Sequence, residues 1–181
     1  MARLPYPDLT DDSLRPLAEQ IRAARGSVLS LYRMLLYSPP MALGWLSLLS
    51  AVRKESTLPG DLRELLIMQI AALNGAAYEW AQHYDLARRE GLTARQLEHV
   101  KEWRAHPELF TDLQRSALEY SDAMTRKIQV PRAVFDRLSA QLELRQILEL
   151  TVTVAAYNMV SRVLEALEIR PEDRSSGPDG Q

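Results

Sequence analysis

Residues 60–91 read Gly-Asp-Leu-Arg-Glu-Leu-Leu-Ile-Met-Gln-Ile-Ala-Ala-Leu-Asn-Gly-Ala-Ala-Tyr-Glu-Trp-Ala-Gln-His-Tyr-Asp-Leu-Ala-Arg-Arg-Glu-Gly. Leu62, Leu65, Leu66 and Ile70 recur at the spacing of one helix face. Asn74-Gly75 interrupts the pattern, and a second helical run follows from about Ala76 to Glu90, closed by Gly91. On one continuous helix Glu64 and Glu79 would lie roughly 22 Å apart, from a rise of 1.5 Å per residue. A break at Asn74-Gly75 lets the second helix fold back, carrying Glu79 and His83 towards Glu64.

The same punctuation extends in both directions. A helix from about Leu14 to Arg25 stops at Gly26; Ser27 is placed to cap a helix over Val28–Leu36; Ser38-Pro39-Pro40 precedes a third with Leu43, Leu46, Leu49 and Val52. Thr93 with Gln96, and Thr111 with Gln114, have the spacing of capping boxes and mark two more helix starts. Pro131 opens a short piece, and the last helix covers about Glu143 to Leu167. Thr151-Val152-Thr153-Val154 taken alone would suit a strand, but Leu144, Ile147, Leu148, Ala155, Met159 and Val163 around it restore helical spacing. No strand remains, and the fold class expected is all-α. Leu62-Arg63-Glu64-Leu65-Leu66 and Leu144-Arg145-Gln146-Ile147-Leu148 form a weak internal repeat. The organisation expected is an extended arm over 1–10, a single all-α domain over 11–170 and a disordered tail over 171–181.

Composition narrows the function. The 181 residues carry 22 Lys plus Arg against 24 Asp plus Glu, a formal charge of −2, so no basic excess favours nucleic acid. There is no Cys, which removes disulfides, thiolate metal sites and thiol redox chemistry, and fits a reducing cytoplasm. The most apolar stretch, Ile147 to Leu167, contains Glu149, Arg162 and Glu165, three charges that a bilayer span resists. A soluble cytoplasmic protein without a membrane partner is expected.

Three histidines occur. His99 and His106 sit in polar surroundings and read as solvated surface residues. His83 follows Glu79 by four, so both project from one helical face, where a carboxylate orients an imidazole and favours its protonated form. Such a pair moves a proton near neutral pH. The plainer reading is a surface Glu–His pair worth a few tenths of a kcal/mol. Glu64 adds a second carboxylate if the hairpin closes, or pairs with Arg63 or Arg53 instead. Asn158 and Arg162, four apart, read either as donors to an anionic ligand or as a buried polar pair fixing helix register. Neither a His-Glu-x-x-His signature nor a paired Glu-x-x-His arrangement is present, so no metal and no other cofactor is expected.

The runs Leu62–Ile67, Ala76–His83 and Ala87–Thr93 together resemble the carboxymuconolactone decarboxylase family, within the alkylhydroperoxidase D-like superfamily. Weaker agreement covers Tyr32–Pro39 and Leu144–Arg162. The resemblance implies an alkylhydroperoxidase D-like antiparallel helical bundle assembled as a homo-oligomer (trimer, hexamer or dimer). The family's thiol branch has a Cys-x-x-Cys pair whose positions fall on Ala76 and Glu79 here, which excludes thiol peroxidase chemistry through them. The decarboxylase branch carries Glu-x-x-x-His, matched by Glu79 and His83. By that match His83 is the expected proton donor, Glu79 its orienting partner and Glu64 a relay. Tyr78, Trp80, Asn158 and Arg162 are the expected substrate-binding residues. The function implied is cofactor-free acid/base chemistry on a small carboxylated or lactone-like substrate, a lyase. The alternative is a non-catalytic homo-oligomeric ligand-binding or scaffold protein of the same fold.

Overall fold

The computed structural model describes residues 2–171. All nine α-helices of the described residues follow the punctuation above, and no described residue is in a strand. The expected disordered tail lies, beyond Pro171, outside the described residues. The chain divides into two compact units. One comprises the described residues through Glu55 with those from Leu164 onward, and the other Ser56–Val163.

In the first unit, α1 (Arg15–Arg25) ends at Gly26, whose φ of 84° is the left-handed cap expected there. α2 is Ser30–Leu35, shorter than expected, and Ser27 does not cap it. Leu29 stays extended at its N-terminus, and Val28 and Leu29 pack on the cluster of Ile21, Tyr32, Leu36 and Leu46. Burial of those two side chains outweighs an extra helical turn. α3 (Pro39–Ser50) starts on its two prolines and continues as a wider π-turn over Ala51–Glu55. The expected arm is tied down: Arg33 Nε donates to the Pro7 carbonyl, the Tyr37 hydroxyl to that of Pro5, and the Arg3 amide to that of Leu167.

The second unit is built on α4 (Gly60–Asn74), which packs against α5 (Ala77–Arg89) and α7 (Asp112–Lys127). Gly75, at φ 69°, makes the reversal between α4 and α5. α6 (Ala94–His99) and α7 both open with the expected capping boxes. Two 3-10 turns, Trp103–Ala105 and Pro107–Leu109, lie between them. Leu65, Met68, Ala87, Leu97, Trp103 and Leu118 form the core of this unit. α8 (Arg132–Ser139) follows Pro131 and packs on α7. α9 (Leu144–Leu167) takes in Thr151–Val154 as helix. It is long and apolar enough to cross a membrane, but 56% of its most apolar window is buried inside the protein, as in the core helix of a soluble domain.

The two halves of the sequence repeat each open a long helix, α4 and α9. Leu62, Leu65 and Leu66 are fully buried, whereas Leu144 and Leu148 are 87% and 64% exposed.

Candidate functional site

The α4–α5 reversal does what the break at Asn74-Gly75 led us to expect. It brings Glu64 on α4 against His83 on α5, with His83 Nδ1 2.7 Å from Glu64 Oε2. Both side chains are buried, at 8% and 3% exposure. An ionised Glu64 would only accept, which would put the proton on Nδ1 and make Nε2 the ring nitrogen outside this contact. The Glu64 side chain also accepts from Arg63 Nε, at 3.3 Å from Oε1. One carboxylate thus meets both His83 and Arg63.

The carboxylate at hydrogen-bond distance of Nδ1 is Glu64. Helical spacing places Glu79 and His83 on one face without directing a carboxylate along the ring N–H; the neighbouring helix supplies that direction. Glu79 is itself buried on α5.

Tyr157 of α9 was not foreseen. Its ring stands perpendicular to His83 with centroids 5.1 Å apart, an edge-on aromatic contact. No local pattern could reveal it, because its partner lies on another helix distant in the chain.

The other expected residues divide. Tyr78 is buried on α5. Trp80 is half-buried, packs on the core cluster and meets the Tyr84 ring at 6.3 Å, which is ordinary core packing. Asn158 and Arg162 form a separate cluster. Asn158 Nδ2 donates to Thr125 Oγ1 and to the Val154 carbonyl, while its Oδ1 accepts from Asn74 Nδ2 and Arg162 Nη1. That amide joins α4, α7 and α9. Arg162 is exposed, with its Nη1 held on Asn158.

His99 and His106, read as separate solvated residues, stack with ring centroids 3.9 Å apart. The two 3-10 turns bring them together. Among the described residues no group of three or more His, Asp or Glu side chains is arranged to hold a metal ion.

Residues 39–123, which include Glu64, Glu79 and His83, match the model of the carboxymuconolactone decarboxylase family. This stretch belongs to the carboxymuconolactone decarboxylase family. No curated protein matches the sequence. Among solved structures, the fold resembles the alkylhydroperoxidase AhpD core of a peroxidase-related protein from Ralstonia eutropha JMP134, with TM-score 0.78 and 19% identity over 95% of this chain and 93% of that one. A peroxidase-related protein from Silicibacter sp. TM1040 matches with TM-score 0.77 and 20% identity, over 92% and 90%. The debrominase Bmp8, in complex with 2,3,4-tribromopyrrole, matches with TM-score 0.74 and 16% identity, over 92% and 89%. At these identities the likeness is one of fold: an all-α, alkylhydroperoxidase D-like bundle. The chain has no Cys, so no thiolate stands beside the buried histidine.

Proposed function

We propose that the protein is a cofactor-free acid/base enzyme acting on a small carboxylated or lactone-like metabolite, with His83 as proton donor. The observation that carries this is the buried, 2.7 Å Glu64–His83 pair within the family-matched stretch. A scaffold protein has no use for a carboxylate and an imidazole removed together from water, since desolvation of the pair opposes folding unless both are hydrogen-bonded. Glu64 holds the ring and its tautomer, Tyr157 holds its plane, and Nε2 is the atom that delivers the proton. Glu79 and Tyr78 line the same helix.

For a decarboxylation the steps balance simply. The bond from carbon to the carboxylate breaks, its electron pair moves into the lactone as an enolate, and carbon dioxide leaves. The proton on His83 Nε2 then goes to carbon, and water restores it. Glu64 stabilises the imidazolium before transfer. We also place the protein in the cytoplasm and as a homo-oligomer, the latter supported by the apolar residues left exposed on both units.

The test is turnover of 4-carboxymuconolactone and related lactone acids by wild type and His83→Gln side by side. The expected result is turnover by wild type and a loss of at least about a hundredfold in the variant. Equal turnover by both would remove His83 from the chemistry. Binding of such acids without turnover would favour the ligand-binding alternative.

A further inference from the structure

Arg63 is the sequence neighbour of Glu64, and adjacent residues on a helix point about 100° apart and do not normally face each other. Here the Arg63 guanidinium turns back to Glu64 Oε1, and its side chain is only 12% exposed. Its Nη2 lies 3.5 Å from Glu90 Oε1, at the far end of α5. The Glu90 carboxylate occupies the space over Gly60, where an added Cβ would stand 1.8 Å from Oε2. Four charged or titratable groups therefore run in alternating sign from the half-exposed Glu90 through Arg63 and Glu64 to the buried His83.

We propose that Arg63 is a positioning residue that sets how tightly the Glu64–His83 pair holds its proton, with Glu90 as its outer counterweight. An Arg side chain keeps its charge at all working pH values, so it takes a fixed share of the Glu64 charge. A proton on the ring is held by the remainder. Removing the Arg63 charge leaves Glu64 to the histidine alone, and the pair keeps its proton to higher pH. Removing the Glu90 charge frees Arg63 to act more fully on Glu64, and the pair gives up its proton at lower pH. Tyr157 of α9, whose ring stands against His83, and the buried Glu79 and Tyr78 of α5 are common to all variants.

The inference rests on the reading of His83 as proton donor for its bearing on catalysis, but its test needs no substrate. The His83 ring is followed by NMR through a pH titration, its signals assigned by their absence in His83→Gln. In Arg63→Gln the midpoint should rise by about one pH unit. In Arg63→Lys it should stay near wild type, and in Glu90→Gln it should fall by a smaller amount. A purely structural role for Arg63 would lower the melting temperature without moving the midpoint. Unmoved midpoints, or movement in the same direction in Arg63→Gln and Glu90→Gln, overturn the proposal. If Arg63→Gln does not fold, the half-exposed Glu90 decides: a lowered midpoint in Glu90→Gln supports the proposal and an unchanged one ends it. Absence of turnover in wild type counts against the enzymatic reading only, since the midpoints are read without substrate.

Discussion

At the scale of single residues, Glu64 is the hinge of the site. It is 2% exposed and lies between the partly buried Arg63 and the buried His83. Replacing it by Ala strands a guanidinium and an imidazole without their shared acceptor. The expected cost is about 3 kcal/mol of unfolding free energy. Glu64→Gln keeps one acceptor oxygen and should lose less. Urea denaturation of the two variants checks this, and an Ala variant as stable as wild type would show that the pair is not buried in solution. His83 and Glu79 were both legible in the sequence, because a four-residue spacing always shares a helix face. Which carboxylate meets the ring was not legible, because it depends on how α4 and α5 cross.

At the scale of elements, local chemistry predicted most boundaries. Gly26, Gly75 and Gly91 all take positive φ, where a side chain is strained. The two capping boxes formed as spaced, and the structure adds that they are joined. Gln96 Nε2 donates to Gln114 Oε1, and Gln114 Nε2 donates to Asp61 Oδ2, so the starts of α4, α6 and α7 are linked by side chains. The loop before α4 is held in another way. Glu149 of α9 accepts from the Thr57 amide and hydroxyl, the Ser56 hydroxyl and Arg145 Nε. Burial alone would raise the Glu149 carboxyl. Its hydrogen bonds from Thr57 and Arg145, with the Arg145 charge, outweigh this and hold it down to about 2, against an ordinary 4.5. A depressed folded-state value means stability that is complete above the ordinary value and is lost as pH falls from there towards 2. The contribution at neutral pH is about 3 kcal/mol at most. Wild type should therefore exceed Glu149→Gln in stability at pH 7, and the gap should narrow at pH 3. A gap of equal size at both pH values would refute the clasp.

At the scale of the whole molecule, the apolar surface is the feature that asks for a partner. Leu144 and Leu148 stand one helical turn apart on α9, and Tyr37, Met41, Leu43 and Leu48 are exposed on the first unit. Large exposed apolar side chains grouped on an element mark interaction surfaces. Wild type is expected to sediment well above the 20.6 kDa of one chain. Leu144→Asp with Leu148→Asp should lower that mass while leaving the helical content unchanged. A wild-type protein sedimenting as a single chain would remove the homo-oligomer from the proposal.

The same two leucines mark the boundary between what sequence and structure each decide. Helix periods, glycine caps, proline starts and capping boxes act within a few residues, so the all-α class and nearly every helix followed from the sequence. The absence of Cys, and with it of thiol chemistry at Ala76 and Glu79, also needed no structure. Burial is different, because it depends on what packs against a face. Two nearly matching five-residue runs open α4 and α9, yet one is sealed in the core and the other faces outward. Likewise, only tertiary packing chose Glu64 over Glu79 as the partner of His83 Nδ1 and set Tyr157 against the ring. It also joined Asn158 to Asn74 and Thr125, since those contacts join residues that no local spacing relates.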